Sequence, residues 1–162
     1  MSLICPICNK IACAEHFVIW WNAQNFNWEN DSWALAKFCY AYFDIWWDEN
    51  KFNWQDGSWA LAKYCHMHFD KWWSSERYDW FLASAELAYY CYMHFDKWWD
   101  ADRFHFGHAA RVALIKCCMP YFDKWFNHFV VDQDDICLFE RYCPLEYRDK
   151  LTELKLHFML ST

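Results

Sequence analysis

A repeat of 26 residues is the feature that most constrains how this 162-residue chain can fold. When the sequence is written in rows of 26, cysteine, phenylalanine and paired tryptophans return at fixed positions. The recurring residues are Cys13, Cys39, Cys65 and Cys91; Phe17, Phe43, Phe69 and Phe95; and Trp20-Trp21, Trp46-Trp47, Trp72-Trp73 and Trp98-Trp99. Repeats of this length bury their apolar residues against neighbouring copies, so the pattern predicts a stack of about five units.

The composition indicates that these units are helical. Aromatic residues make up 24% of the chain, which excludes a disordered polymer, and only two glycines and three prolines are present. Few breakers leave few tight turns and therefore favour helices over many short strands. In the third unit, one helical stripe is formed by Trp59, Ala62, Cys65, Phe69 and Trp72. The sequence predicts an all-α, α-solenoid-like fold.

Serine recurs 26 residues apart immediately before each breaker-free run, at Ser32, Ser58 and Ser84. Because serine is a strong N-cap, the pattern predicts one continuous helix per unit, such as Ser58 to Trp73. Parallel stacking with an extended return and alternating helices are both compatible with the sequence. The fifth unit has one extra residue, so either Cys117 or Cys118 continues the cysteine series, and the nearby Pro120 predicts a kink or bulge.

The end of the chain has a different pattern. Residues 1–136 form the predicted repeat region, and residues 137–162 are predicted to be a C-terminal capping helix of the same domain. Pro144 suits a first helical turn. The apolar stripe of this helix consists of Tyr147, Leu151, Leu154 and Phe158. A helix with one apolar and one charged face is suited to closing a stack.

The most specific chemical motif lies at residues 5–16, where Cys5, Cys8, Cys13 and His16 follow the spacing Cys-x2-Cys-x4-Cys-x2-His. Four such ligands match a closed tetrahedral zinc site, and the Cys-Pro-x-Cys turn resembles a zinc knuckle. The resemblance is local. The retroviral type has histidine third and cysteine fourth, so its RNA binding is not implied. One structural zinc is therefore a candidate cofactor.

A competing interpretation follows from the repeat itself. If the first helix began at Pro6, Cys5 and Cys13 would lie eight residues apart, or roughly 12 Å along the helix, and could not share one ion. Cys65 with His68, and Cys91 with His94, are also three residues apart on a predicted helix and could contribute to further metal sites. Equivalent copies carry tyrosine in place of histidine, so buried thiols are the favoured interpretation there.

Aspartate recurs after the repeated phenylalanine, at Asp44, Asp70, Asp96 and Asp123. These carboxylates could accept hydrogen bonds from buried indole N–H groups, which is the favoured hypothesis. They could instead form an exposed acidic row along the stack.

The net charge of -7 is carried by the repeat region, because residues 137–162 contain four acids and four bases. Nucleic acid is thereby disfavoured as a ligand, since its binding depends on lysine and arginine. A basic surface of another protein is the better electrostatic match. Contacts are expected from acids in the turns, namely Asp48, Glu49, Asp100 and Asp102.

No phosphate loop, nucleophile elbow or His-Glu-x-x-His motif is present, so the sequence does not predict an enzyme. No apolar run is long enough to span a membrane, and no export signal precedes ten cysteines, which together favour a cytoplasmic protein. The leading functional prediction is an adaptor or inhibitor that binds a basic partner. The alternatives are a self-assembling subunit that forms homo-oligomers or filaments, and a zinc-binding or metal-storing protein.

Overall fold

The protein is described by a computed structural model covering residues 4–5, 7–128 and 133–161. These residues form helices and turns, and their β pairing is a single antiparallel bridge between Ile4 and Ile11. The predicted all-α class is confirmed. The chain divides into two compact units, Met1–Asp79 and Trp80–Thr162, which are considered separately below.

Eleven helices are present in the described residues: α1 (Phe17–Trp20), α2 (Trp28–Phe38), α3 (Phe43–Trp46), α4 (Trp54–Tyr64), α5 (Phe69–Trp72), α6 (Trp80–Tyr90), α7 (Phe95–Trp98), α8 (His108–Cys117), α9 (Phe122–Trp125), α10 (Gln133–Tyr142) and α11 (Arg148–Ser161). Three-residue 3-10 turns precede α1, α3, α5, α7, α9 and α11, and one follows α9. A long helix, a 3-10 turn and a four-residue helix thus recur in order. The N-terminal segment has only the last two of these elements.

The prediction of one helix from Ser58 to Trp73 is wrong. Helix α4 begins at Trp54, and the Asn53 side chain caps it by accepting a hydrogen bond from Asp56 N. The helix ends at Tyr64 because the Cys65 carbonyl is engaged elsewhere. It accepts the His68 backbone N–H at 2.9 Å, which closes a 3-10 turn, and the Trp72 indole N–H at 2.8 Å.

The repeated serines lie inside the helices, and their N-cap assignment is also wrong. Ser58 is buried, donates its hydroxyl to Trp54 O and accepts the Asp79 backbone N–H at 3.1 Å. Ser32 and Ser84 make the same pair of bonds. Each serine therefore fixes a long helix to the segment that begins the following copy.

The core of each copy is an aromatic cluster around the repeated phenylalanine. Phe43 is stacked on Trp47, with ring centroids 5.1 Å apart, and on the His68 ring at 4.6 Å. Phe95 is stacked in the same way on Trp99 and Tyr121. A flat ring is the common requirement at the position of His68 and Tyr121, which explains why both histidine and tyrosine occur there.

The repeated cysteines are buried thiols, as the sequence favoured. Cys65 donates to Ala36 O at 3.6 Å, and Cys118 donates to Ala88 O at 3.6 Å. Burial raises the pKa of the Cys39 thiol to about 12. These thiols are therefore protonated hydrogen-bond donors, and those of Cys65 and Cys118 join their copy to the long helix of the copy before it.

The hypothesis that the repeated aspartates accept indole N–H groups is wrong. The indoles of the buried tryptophans donate to backbone carbonyls, as Trp72 does to Cys65. Asp44, by contrast, has a side chain that is 65% exposed and pairs with Lys71 at 2.5 Å, and this contact lowers the carboxyl pKa. Asp96 pairs with Lys124, and Asp123 pairs with Lys150.

Within each unit, contacts join equivalent positions of successive copies. The Trp33 and Trp59 rings are stacked at 6.3 Å, and α2 packs against α4 as α6 packs against α8. Long helices in a unit therefore run parallel, with the short elements returning the chain, which answers a question that the sequence left open.

The extra residue of the fifth copy lies before α8, and the predicted kink is absent. His105 N bonds to Ser84 Oγ as Asp79 N does to Ser58 Oγ, whereas Cys118 N bonds to Leu114 O as Cys91 N does to Leu87 O. Equivalent residues in the first two bonds are 26 positions apart in the sequence, and equivalent residues in the last two bonds are 27 positions apart. Cys118 is thus the equivalent cysteine, and Pro120 lies in the 3-10 turn Met119–Tyr121.

The single helix predicted over residues 137–162 is divided in two: α10 begins earlier, at Gln133, and packs against α8, and α11 follows the 3-10 turn Leu145–Tyr147. Asp135 of α10 is buried and accepts two hydrogen bonds from Arg111 at 2.8 and 3.0 Å. The Leu154 side chain lies outside the described residues. None of the described helices is both long enough and apolar enough to cross a bilayer.

The serine bonds predict an asymmetry between two substitutions. Ser58→Ala should lower the free energy of unfolding by roughly 1–3 kcal/mol, because it leaves the Asp79 N–H without its acceptor. Asp44→Ala should change it little, because the pair with Lys71 is exposed to solvent. Urea unfolding followed by circular dichroism measures both. An equal loss in the two variants would contradict the assigned role of the serine.

Candidate metal centre

Three thiols and one imidazole meet near the N-terminus. The ligand atoms of Cys5, Cys8, Cys13 and His16 all lie within 4.8 Å of one another, and these residues are called the Cys3His cluster below. It is the one group of three or more potential ligands found among the described residues. The cluster could hold a metal ion.

A tight turn places the first two thiols. Ile4 pairs with Ile11, Cys5 N donates to Lys10 O at 2.9 Å, and Asn9 N donates to Cys5 O at 2.9 Å. Asn9 has a φ of 57°, a left-handed conformation that asparagine tolerates better than most residues. The chain therefore folds back between Cys5 and Ile11 and brings Cys8 to the same side as Cys5.

The 3-10 turn Ala14–His16 supplies the other two ligands. Cys13 precedes this turn, and His16 ends it, so His16 Nδ1 lies 3.4 Å from Cys13 Sγ and 3.6 Å from Cys5 Sγ. Tetrahedral coordination with metal–sulfur bonds of about 2.3 Å and metal–nitrogen bonds of about 2.0 Å places ligand atoms ~3.5–3.8 Å apart. The imidazole contacts already have the spacing of a coordinated set.

The cluster is shielded from water on one side. Cys5 is 1% exposed and Cys13 is 6% exposed, whereas Cys8 and His16 are half-buried. Structural metal sites use all four positions for protein ligands and stay closed to solvent and substrate. The Cys3His cluster has the number of ligands and the burial of that class.

The thiols differ in acidity. Burial opposes ionisation of Cys5, but hydrogen bonds from the backbone N–H groups of Cys8 and Ile7 and from the side chains of Cys8 and His16 together outweigh it and lower the Cys5 pKa to about 7. The Lys10 N–H favours the Cys8 thiolate. Burial and the neighbouring Cys13 and Cys5 sulfurs outweigh that effect and raise the Cys8 pKa. One thiolate therefore forms easily, and a cation is needed to hold several together.

The interpretation that a helix begins at Pro6 is wrong. Pro6 lies outside the described residues, but the first helical turn starts only at Ala14, and residues 7–10 form a turn instead. Cys5 and Cys13 are therefore close in space. The pairs Cys65–His68 and Cys91–His94, for which the sequence favoured buried thiols over metal binding, belong to no group of three potential ligands in the described part of the chain.

The four acids predicted to contact a partner lie in two equivalent turns. Asp48 accepts Asn50 N at 3.1 Å and pairs with Lys51 at 3.0 Å. Asp100 accepts Asp102 N at 3.1 Å. Glu49 and Asp102 are exposed beside these turns, in different units. The structure gives Asp48 and Asp100 a role in closing the turns, and a partner role for the four acids stays a prediction.

The sequence did not draw attention to Phe81 and Leu82, although both side chains are largely exposed. The equivalent residues of the preceding copy are Gln55 and Asp56. An alignment of the copies shows this change from polar to apolar residues. Its significance depends on both side chains being exposed, which only the structure shows.

No protein-family model, no curated protein and no solved structure matches this chain. The chemistry of the Cys3His cluster is therefore inferred from its own donor atoms and geometry. Three sulfurs and one imidazole nitrogen are soft or borderline ligands, which excludes magnesium and calcium as preferred ions.

Cobalt(II) provides a direct test of the geometry. One equivalent should produce the intense visible absorption of a tetrahedral cobalt–thiolate complex, because all four donors converge on one point. Cys5→Ser with Cys8→Ser should remove the bands. Cys137→Ser is the matched control, since Cys137 is exposed and distant in sequence from the cluster, and should retain them. Bands that persist in the double variant would place the metal elsewhere.

Proposed function

We propose that the chain is a zinc-binding helical-repeat protein, in which one structural zinc ion holds the N-terminal end in its folded form. The convergence of Cys5, Cys8, Cys13 and His16 carries this proposal. Zinc is the ion that most commonly occupies tetrahedral sites of three cysteines and one histidine. The closed arrangement favours a structural role over a catalytic one.

The position of the cluster supports a capping role. Cys65 donates its thiol to Ala36 O in the long helix α2, but Cys39 donates to Ala12 O at 3.5 Å. The loop that contains the metal ligands thus supplies the carbonyl that a long helix supplies in the next copy. Ala12 is buried with a φ of 43°, a strained conformation for alanine.

A short loop with a strained residue needs additional stabilisation. The described residues between Cys5 and Cys13 contain no helix, and the hydrogen bonds from Cys5 N to Lys10 O and from Asn9 N to Cys5 O close their turn. Metal binding supplies folding free energy in segments that are too small to build a core. Zinc would therefore hold the loop in place, so that Ala12 stays in contact with Cys39 and the loop covers the first aromatic cluster, around the buried Phe17.

Thermal unfolding at increasing free zinc tests the capping role. The melting temperature should rise, because a ligand that binds only the folded state adds about 4 kcal/mol at a thousandfold excess over its Kd. Cys5→Ser with Cys8→Ser should melt at the temperature of the metal-free protein and ignore zinc, and Cys137→Ser should respond fully. A zinc-loaded protein whose melting temperature equals that of the metal-free protein would refute the cap.

A second candidate function is the recognition of a basic surface on another protein, by an adaptor or inhibitor. The placement of the acids supports it: Asp135 is the one buried carboxylate among the side chains whose burial is described. The acidic residues responsible for the net charge of -7 therefore lie mainly at the surface. Exposed Glu49 and Asp102 are the contact residues of this proposal, flanked by Asp48 and Asp100.

The association rate with a lysine-rich peptide on a sensor surface should fall as salt rises, because the Debye length shortens to ~8 Å at physiological ionic strength. Glu49→Lys with Asp102→Lys should slow association while preserving the turns. The matched control exchanges the charges of Asp44 and Lys71, which leaves the net charge unchanged. A salt-independent rate would refute the proposal. Sedimentation at two concentrations tests the alternative of self-assembly in the same samples.

A further inference from the structure

A pocket of about 200 Å³ lies between the first turns of α6 and α8 in the unit Trp80–Thr162. Its walls include Phe81, Leu82 and Ala85 from α6, Ala109 from α8, and His105 from the segment before α8. These residues are called the α6–α8 pocket below. None of them belongs to the Cys3His cluster or to the predicted acidic contacts.

The walls of the pocket depart from the repeat. The first turns of α2 and α4 carry polar pairs, Glu29-Asn30 and Gln55-Asp56, whereas α6 carries Phe81-Leu82. Phe81 is 69% exposed and Leu82 is 61% exposed. Adjacent apolar side chains left in water beside a concave surface are typical of a binding site rather than of a stabilising feature.

The pocket also lacks a side chain that other copies have. Ala85 is equivalent to Trp33 and Trp59, whose indole N–H groups donate to Asn30 O at 3.2 Å and Asp56 O at 2.9 Å. Each indole therefore lies back over the first turn of its own helix. On α6 the same place is bounded by Leu82 and Ala85, two walls of the pocket. The α6–α8 pocket thus occupies the space that an indole fills elsewhere in the repeat.

The size and the walls of the pocket fit one aromatic ring system. An apolar cavity of about 150 Å³ binds benzene, and sites for drug-sized molecules begin at about 300 Å³. The volume of the α6–α8 pocket lies between these values. The Phe81 ring and the His105 imidazole, with centroids 4.4 Å apart, form an aromatic wall against which a further ring can pack.

We propose that the α6–α8 pocket binds a tryptophan side chain of a partner protein, with basic residues next to that tryptophan. The indole takes the place that Trp33 and Trp59 take in their own copies. The exposed Asp102 lies three residues before His105 and favours lysine or arginine beside the inserted ring. This charge preference rests on the proposed recognition of a basic surface, whereas the fit of the indole does not.

Fluorescence anisotropy of labelled peptides with the full-length, zinc-loaded protein tests the proposal. The reference peptide has one tryptophan between lysines, a second has alanine for tryptophan, a third has serine for the lysines, and free indole serves as competitor. The alanine peptide should bind about tenfold more weakly, the loss typical of a buried aromatic anchor. Free indole should compete more weakly than the reference peptide.

Variants of the protein locate the site. Ala85→Trp should fill the pocket and weaken binding of the reference peptide about tenfold. The double variant Phe81→Gln with Leu82→Asn should have the same effect. It introduces the residue types that Gln55 and Asn30 provide at these positions in other copies, without a change of charge. Met93→Trp is the matched control, because Met93 is exposed beyond the other end of α6, and it should bind normally. Circular dichroism verifies folding, and the Phe81 and Leu82 exchange tests the site if Ala85→Trp does not fold.

The outcomes separate this proposal from recognition of a basic surface. A loss with the alanine peptide but not with the serine peptide supports the pocket and refutes the charge preference. A loss with the serine peptide but not with the alanine peptide overturns binding of tryptophan in the pocket and leaves recognition of a basic surface standing. Full affinity of the alanine peptide, or of both pocket variants, would overturn the proposal. Free indole that binds as tightly as the reference peptide would also overturn it, because the pocket would then belong to a small aromatic molecule.

Discussion

The hydrogen bond from a buried indole N–H to the carbonyl of the repeated cysteine is the interaction on which each copy depends. In the second copy Trp46 donates to Cys39 O, and Trp72, Trp98 and Trp125 repeat the bond. A buried indole N–H must find an acceptor, and the cysteine carbonyl at the end of the long helix accepts it together with the backbone N–H that closes the 3-10 turn. The bond therefore couples burial of the tryptophan to the break between the long helix and the 3-10 turn.

Successive copies within a unit are joined by hydrogen bonds that require a neighbour. Ser32 accepts Asn53 N, and the Cys65 thiol donates to Ala36 O. A copy at the end of such an arrangement lacks one partner, so stacked repeats need terminal elements of a different kind. In the first unit the loop that carries the Cys3His cluster provides Ala12 O for Cys39, and the proposed zinc ion would stabilise this short loop.

Core packing explains most of the differences between the copies, but it does not explain all of them. Most changes conserve a requirement, as when His68 and Tyr121 both provide a flat ring against phenylalanine. Two changes do not. In the first copy a loop with Cys5 and Cys8 stands in place of a long helix, beside the repeat positions Cys13 and His16. In α6, Phe81, Leu82 and Ala85 stand in place of polar residues and a tryptophan. Both of our proposals place function at these departures from the repeat.

The sequence by itself determined the 26-residue period, the helical class and the candidate ligands at residues 5–16, because periodic burial and donor chemistry follow directly from residue types. It did not determine where the long helices begin and end. Ser58 and Asn53 are both good caps, and the structure shows that Asn53 caps α4 while Ser58 accepts the Asp79 backbone N–H. The end of the helix is marked by the Cys65 carbonyl, which accepts the Trp72 indole N–H. The exposed position of Asp44 and the space beside Ala85 likewise depended on tertiary structure. Hydrophobic periodicity specifies which face of a helix is buried, but the acceptor that satisfies a buried donor comes from wherever the folded chain places a free carbonyl.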